Sequence, residues 1–434
     1  MLLIYTHNIT CRLVYIFKLI FSDILEIPVE FTTDIEKFNH SNHPKINYSH
    51  TKINDEIYIK PHKLLFETGI YKQNILVSKW KDYNIFFQSN DQSSLDFDPF
   101  AAGFYLVSRY EEYLPFNRDK YGRFEAIESL AYKNNFLNVP VVNEWAFLLA
   151  GLVQEKYPNF NFPARSFNYI STIDIDSAYQ YLHKGFFRTF GATVKTLLCL
   201  NLKEINNRYR VLNHSRKDPF DTYDYFDIIH QKYNINSIYF FHVGKYGKYD
   251  KSISIKNSSY QSLIKNKAES SEVGIHSSYG SACSLKKLEK EIKFFSTILN
   301  KKIYKNRQHY LKLSFPATYS NLIRHNINED YSMGYASELG FRAGICTSYI
   351  FYDLQLEKET GLKVVPFQIM DGTLNYYLKL RPEEAVIKIE NMVNQVKKVN
   401  GTFVSIWHNE SVSNQGIWKG WKWVYEEMLK MVKS

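Results

Sequence analysis

Six polar residues, each at or near the end of a short apolar run, carry the chemistry available to this sequence. Asp174 and Asp176 close the run Tyr169-Ile170-Ser171-Thr172-Ile173-Asp174-Ile175-Asp176. His276 follows Val273-Gly274-Ile275, Arg307 and His309 sit in Arg307-Gln308-His309, and His408 ends Thr402-Phe403-Val404-Ser405-Ile406-Trp407-His408. Carboxylate and imidazole together suit a zinc-like divalent ion, which polarises a carbonyl and lowers the pKa of bound water, so hydrolysis is the chemistry they point to. In Asp174-Ile175-Asp176 both carboxylates share one face of a continuing strand, so one can bind metal while the other acts as base. Taken singly, these features have plainer readings. The acid pair also reads as a loop-capping pair, His276 as a satisfied core histidine, and His242 as a residue packed on its strand.

The elements around them must bring these residues together. After the polar, proline-bearing stretch Glu155-Lys156-Tyr157-Pro158-Asn159 to Pro163, short apolar runs alternate with longer stretches of helical period, the pattern of a β/α protein. In a parallel β/α barrel the C-terminal strand ends converge on one mouth, which is where residues ending separate strands would meet. Leu285, Leu288, Ile292, Phe295 and Leu299 mark one helix behind Ser284. Ala385, Ile389, Met392, Val393, Val396 and Val399 mark another, opened by Pro382 and stopped by Gly401. The expectation is an α/β chain: a barrel over residues 165–434, preceded by a smaller α+β domain over 1–160. In the first part, Leu13, Ile16, Phe17, Ile20, Phe21 and Ile24 predict an amphipathic helix after Thr10, packed on its own domain. Residues 96–113 predict a helix and a polar turn whose Arg109, Glu111 and Glu112 read as an inter-element salt bridge.

Composition narrows the classes. Of 434 residues, 45% are hydrophobic and 16% aromatic, which excludes disordered, collagen-like and coiled-coil chains. The 54 basic residues exceed the 44 acidic ones by ten, but they are interspersed with acids, as in Lys286-Lys287-Leu288-Glu289-Lys290-Glu291. That reads as a solvated surface; with no recognition motif, no nucleic-acid partner is expected, and an acidic substrate stays open. Cys11, Cys199, Cys283 and Cys346 form no CxxC pair, which argues against a disulfide framework or thiolate site and for a reducing compartment. The run Leu13–Phe17 is cut short by Arg12 and Lys18, too short for a signal core or a bilayer span. No integral membrane segment and a cytoplasmic location are the expectations.

The ordered motifs resemble the polysaccharide deacetylases of carbohydrate esterase family four, which share the NodB-homology domain. Thr172-Ile173-Asp174-Ile175-Asp176 resembles the first motif, Ser237 to Gly244 the strand that follows, and His276-Ser277 the start of the second. Arg307-Gln308-His309-Tyr310 falls where the family has a base-steadying arginine, and Ile406-Trp407-His408 resembles its final motif. The resemblance covers roughly residues 165 to 434 and includes a subgroup with an extra N-terminal domain of uncharacterised function. It implies a distorted (β/α) barrel of the NodB type and a metal-dependent hydrolase acting on a carbon-nitrogen bond. Acetyl would be removed from an N-acetylated sugar or glycan intermediate by attack of metal-bound water.

The roles implied are specific. Asp176 and His276 bind a divalent metal, zinc by family habit; Asp174 is the base; Arg307 holds Asp174 ionised; His408 protonates the departing amine. A backbone N–H near Tyr310 joins the metal in stabilising the oxyanion. Tyr331, Met333, Tyr335, Phe341 and Arg342 lie where the family lines its groove, and Tyr310, Tyr335 and Trp407 are expected to meet the sugar. Glu410 reads equally as a sugar-binding acid and as a loop acid. The chain departs from the family at Gly280, where the second metal histidine is expected, and His309 is expected to replace it. Two alternatives stand beside this reading: an amidohydrolase of a small non-sugar amide, and a degenerate deacetylase fold that binds a glycan or partner without catalysis. Absence of an export signal points to a precursor as substrate, as in surface-polysaccharide or lipid-linked oligosaccharide synthesis.

Overall fold

The computed structural model describes residues 1–89 and 92–433. In its first part, Thr10 caps the helix Cys11–Phe17 by accepting from the Leu13 backbone N–H. The apolar stripe predicted from Leu13 to Ile24 is buried as expected, with Phe17 stacked on Phe100 at a ring separation of 3.7 Å. Four short strands, β1 (Leu2–Tyr5), β2 (Val29–Thr32), β3 (Lys45–Asn47) and β4 (Ile57–Tyr58), form a parallel sheet in the order β2-β1-β3-β4. A separate antiparallel pair joins β5 (Ser78–Trp80) to β6 (Tyr83–Ile85).

The remaining strands make one nine-stranded sheet: β7 (Asn168–Ile175), β8 (Ser237–His242), β9 (Glu272–Ser277), β10 (Lys305–Gln308), β11 (Glu329–Asp330), β12 (Tyr349–Asp353), β13 (Lys358–Val364), β14 (Ile369–Met370) and β15 (Thr402–His408). Its order is β12-β13-β11-β10-β9-β8-β7-β15-β14. All pairs are parallel except β12 with β13. The helices expected behind Ser284 and Pro382 span Leu285–Leu299 and Pro382–Lys398.

The expectation of a barrel needs correction on closure. Among the described residues the hydrogen-bonded ladder runs from β12 to β14 and does not close on itself, because β12 is an antiparallel edge folded back on β13. The sheet nevertheless curls. Arg307 on β10 donates to Thr172 Oγ1 on β7 at 2.7 Å, and the rings of Tyr331 and Phe240 lie 5.2 Å apart across β11 and β8. Each pair is three strands apart in the ladder, which in a flat sheet would mean roughly 14 Å. Period-2 alternation then sorts the side chains. Ile170, Ile238, Phe240, Val404 and Ile406 pack on the inside with Phe367, while Ile173, Ile175, Tyr239, Phe241 and Phe403 pack outward.

A buried ion network ties the first part to the second. Glu112 takes Arg109 Nε at 2.8 Å and Arg342 through Nε at 2.9 Å and Nη2 at 2.6 Å, and Glu111 takes Arg109 Nη2 at 2.8 Å. Burial works against the Glu112 charge, but Arg342 and Arg109 outweigh it and hold its pKa below the ordinary value. The inter-element salt bridge read from the sequence is present. It also claims Tyr335, whose hydroxyl accepts from Arg109 at 3.2 Å and whose ring lies under the Arg342 guanidinium. Tyr335 therefore serves this junction rather than meeting a sugar. Among the described residues no helix is long and apolar enough to cross a membrane. Glu112→Ala, which strands the buried Arg342 guanidinium and leaves Arg109 with Glu111 alone, should cost about 3–5 kcal/mol in urea unfolding, whereas a change within ~0.5 kcal/mol would show the network to be dispensable.

Candidate active site

Inward-facing parity carries the chemical residues to one end of the curled sheet. Asp174 shares its face with Ile170 and Thr172, and Asp176 lies two residues further, just beyond the end of β7. His408 ends β15 directly opposite Asp174. His276 sits on β9, opposite His242 of β8 and Arg307 of β10. His309 follows β10 in a tight turn where Tyr310 and Leu311 take the left-handed conformation, φ +62° and +54°. A non-glycine residue held there is a strained arrangement of the sort found at functional sites.

The imidazoles converge on Asp176. His276 Nε2 lies 3.0 Å from Asp176 Oδ1, His309 Nε2 3.4 Å from Oδ2, and His408 Nε2 3.9 Å from Oδ2. Asp174 Oδ2 is 3.8 Å from His276 Nε2. Each ring is oriented through its other nitrogen. His276 Nδ1 bonds the Arg307 carbonyl at 2.9 Å, His309 Nδ1 bonds Asp250 at 2.8 Å, and His408 Nδ1 bonds Asp371 at 2.7 Å. A carbonyl or carboxylate can only accept, so in each case Nδ1 carries the hydrogen and Nε2 is turned toward the cluster.

For a neutral His276 ring that leaves a lone pair facing a carboxylate oxygen. The two atoms are close but not aligned as a hydrogen bond, and Asp176 Oδ1 is buried with no hydrogen-bond partner. Two acceptors in this arrangement fit a shared cation. Asp176, His276 and His309 offer ligand atoms all within 4.8 Å of one another, so the residues present suit a divalent ion, and the donor set suits zinc. A second group of this kind, His242, Asp250 and His309, shares one member with the first.

Charge follows the same geometry. Burial opposes ionisation of Asp176, but His309 and His276 outweigh it and hold its pKa well below the usual range. Burial likewise disfavours protonated His309, yet Asp176 and Asp250 push its pKa up to about 9. The same competition, won by Asp371 with Asp176 and Asp174, raises His408 well above an ordinary imidazole. His242, fully buried among the other imidazoles, is pushed down to about 3 by burial first and by His309 and His276 second.

The structure thus brings Asp174, Asp176, His276, His309 and His408 together. Arg307 is buried nearby and bonded to Thr172, but no ion pair joins it to Asp174 among the described residues. Tyr310 lines the cavity, whereas Trp407 does not. Trp407 is one residue out of phase with His408, so its ring points outward onto Tyr425 of the helix Trp421–Lys433, 4.8 Å away. Its expected role in substrate binding is corrected on that ground. Glu410 lines the cavity and bonds the Tyr376 hydroxyl at 3.2 Å.

Three contributors escaped the sequence reading. Asp371, fully buried beyond β14, also accepts from the His408 backbone N–H at 2.8 Å. Asp250 belongs to the loop after β8, and its carboxylate accepts from Tyr279 N–H at 3.0 Å as well as from His309. Arg123 reaches in from the first part of the chain, fixed by Asp119 at 2.7 Å, and donates to the Tyr310 carbonyl at 3.0 Å and the Tyr377 hydroxyl at 3.2 Å. The cavity that Arg123 borders is about 220 Å³ and carries Tyr310, Tyr376 and Tyr377 among its lining residues.

Against known proteins, the model for a family of unknown function (DUF7033) matches residues 2–158. A search of curated proteins found no match. Among solved structures, the chain is similar to a candidate polysaccharide deacetylase from Mycobacterium smegmatis at 12% identity and a TM-score of 0.41, covering 63% of this chain and 87% of that one. A polysaccharide deacetylase from Bacillus cereus aligns at 12% identity and a TM-score of 0.30, covering 62% and 88% of the two chains. A mutant of a CE4-family pseudoenzyme with restored enzymatic activity aligns at 10% identity and a TM-score of 0.29, covering 64% and 77%. At such scores and identities these likenesses carry no weight for function, which rests on the residues of this chain.

Because Asp250 fixes the His309 ring, Asp250→Ala should weaken zinc binding about 10- to 100-fold in a competitive chelator titration. Unchanged affinity would remove His309 orientation from the account of the site.

Proposed function

We propose that this chain is a metal-dependent hydrolase that removes acetyl from an N-acetylated sugar or glycan intermediate, with residues 165–434 as a deacetylase-like unit of the NodB type. The observation that carries the reading is the convergence of three Nε2 atoms on Asp176, with the adjacent Asp174 Oδ1 also buried and unpartnered. The ordered resemblance of the motifs supplies the reaction class.

Asp176, His276 and His309 would hold the ion. When bound, a divalent ion of this kind polarises a carbonyl and acidifies an adjacent water. Asp174, whose side chain is 4% exposed, has an unpartnered carboxylate oxygen, Oδ1, that would serve as the proton acceptor. His408 would deliver a proton to the departing nitrogen. An amide is a poor leaving group, so an acid must meet the nitrogen as the C–N bond breaks. Asp371 prepares His408 for this in two ways: it turns Nε2 toward the cavity, and against the effect of burial it favours the charged ring. Arg307 adds positive potential behind Asp174, and the strained turn at Tyr310 sets backbone at the rim, where an oxyanion donor is needed.

A cavity of about 220 Å³ is smaller than the roughly 300–1,000 Å³ of drug-sized sites, so one small ring enters while the rest of the substrate lies outside. Its tyrosine rim suits the apolar face of a sugar. The non-catalytic reading draws on Gly280. That position offers no imidazole, and a Cβ there would meet only the end of the Lys287 side chain, with Nζ at 2.9 Å. The two readings part on metal and turnover.

Two measurements test the proposal. Purified protein should contain about one divalent ion per chain and release acetate from an N-acetylated glycan, and His309→Ala should lose most of the ion; full occupancy in that variant would end the replacement reading. His408→Ala should retain the ion but slow acetate release by roughly 10²-fold or more, and near-normal turnover would refute its role as the acid.

A further inference from the structure

The helix Phe186–Leu198 follows β7 by ten residues and buries none of its side chains. Phe186, Phe187, Phe190, Val194, Leu197 and Leu198 are all exposed, Phe187 and Leu198 at 89% and 80%. Their spacing confines them to about one third of the helix circumference. Leu200 and Leu202 continue the apolar surface past the helix end, Leu200 at 82% exposure. This orientation is the reverse of an ordinary surface helix, and hydrogen bonds on the polar face fix it. Thr193 Oγ1 accepts from Arg208 of the helix Leu202–Leu212 at 3.0 Å. Arg188 donates to the backbone carbonyls of Ser252 at 2.9 Å and Lys251 at 3.0 Å. The polar side is tied to the protein, and the apolar side is turned to the outside.

Charge identifies the occupant. Residues 184–217 contain eight basic side chains and a single acid, Glu204, and so carry most of the +10 of the whole chain. Lys195, Lys203, Arg210 and Lys217 are exposed. Two copies of so basic a face repel each other. An anionic surface attracts it, and a stripe of Phe and Leu bordered by Lys and Arg matches the interface of a bilayer, where rings and methyls enter the acyl boundary and the cations reach headgroup phosphates.

We infer that this helix docks the protein on an anionic lipid bilayer. Because Arg188 anchors it to the backbone beside Asp250, the helix sits at the strand end that holds the cavity, and docking sets that end of the sheet against the membrane surface.

The test is sedimentation of the full chain with unilamellar vesicles. Protein should pellet with vesicles containing about 30 mol% phosphatidylglycerol, pellet less with pure phosphatidylcholine, and be released by salt. Phe187→Ser with Leu198→Ser should lower the partition coefficient at least about tenfold. Lys195→Glu with Arg210→Glu should lose the preference for anionic vesicles. All four positions are exposed, so unfolding curves should match the wild type. Absence of partitioning, or equal partitioning by the Ser variant, overturns the inference. So does micromolar self-association abolished by the same Ser pair, which would make a second copy the occupant.

Discussion

Two carboxylates leave β7 toward an interior that otherwise holds Phe240, Phe367, Val404 and Ile406. The strand ends around them bring three imidazoles up to that charge: His276 from β9, His309 after β10 and His408 from β15. Asp174 is 4% exposed and Asp176 36%, so removing His309 or His408, which the carboxylates favour in the charged form, leaves that negative charge less compensated. The outer contacts follow from that arrangement. A ring that must present Nε2 inward has to spend Nδ1 elsewhere, which is why the Arg307 carbonyl, Asp250 and Asp371 stand behind the three histidines. The convergence of three imidazole nitrogens on one carboxylate is therefore a consequence of several strands ending at one place with the same side-chain parity.

That parity is legible in the amino-acid sequence, and it explains both what could be read there and what was misread. Apolar runs ending in Asp, His or Arg mark strands, and counting by two from Val404 and Ile406 reaches His408 while passing over Trp407. Trp407, expected at the substrate, neighbours the histidine, and a strand sends neighbours to opposite faces. Tyr335 was misplaced for a different reason. An aromatic residue in a loop carries no period, and its partners, Arg109 and Arg342, are set by the packing of distant segments. Arg307 has the right parity, yet its guanidinium stops at Thr172 instead of the expected carboxylate.

What sequence could not supply lies mostly in loops. Asp371 follows a strand of two residues, too short for alternation to register, although an acid before Gly372 is a strand-end signal of the kind used elsewhere. Asp250 comes from a stretch rich in Lys, Tyr and Gly with no apolar run to mark it. Arg123 belongs to the first part of the chain and reaches the rim only through tertiary packing. The open ladder was equally hidden, since the antiparallel return of β13 on β12 depends on pairing rather than composition. Interspersed charge along the whole chain suggested an evenly solvated surface, which concealed the concentration of basic residues over 184–217.

The absence of a histidine at position 280 and the placing of His309 are linked by geometry. Asp250, which orients His309, also accepts the backbone N–H of Tyr279, the residue just before Gly280. The loop that carries Gly280 therefore fixes the carboxylate that aims His309. Lys287 fills the space in front of Gly280, so restoring a histidine there would require that side chain to move while leaving the Asp250–His309 pair in place. Nor is His309 free to swing away: its side chain is 9% exposed, its ring lies 4.5 Å from that of His242 by centroids, and it enters from a turn whose next residue is left-handed. On the hydrolase reading, a ligand has moved from the end of one strand to the end of its neighbour. The requirement met is the same in both arrangements: an imidazole nitrogen facing Asp176, with its other nitrogen held by an acceptor.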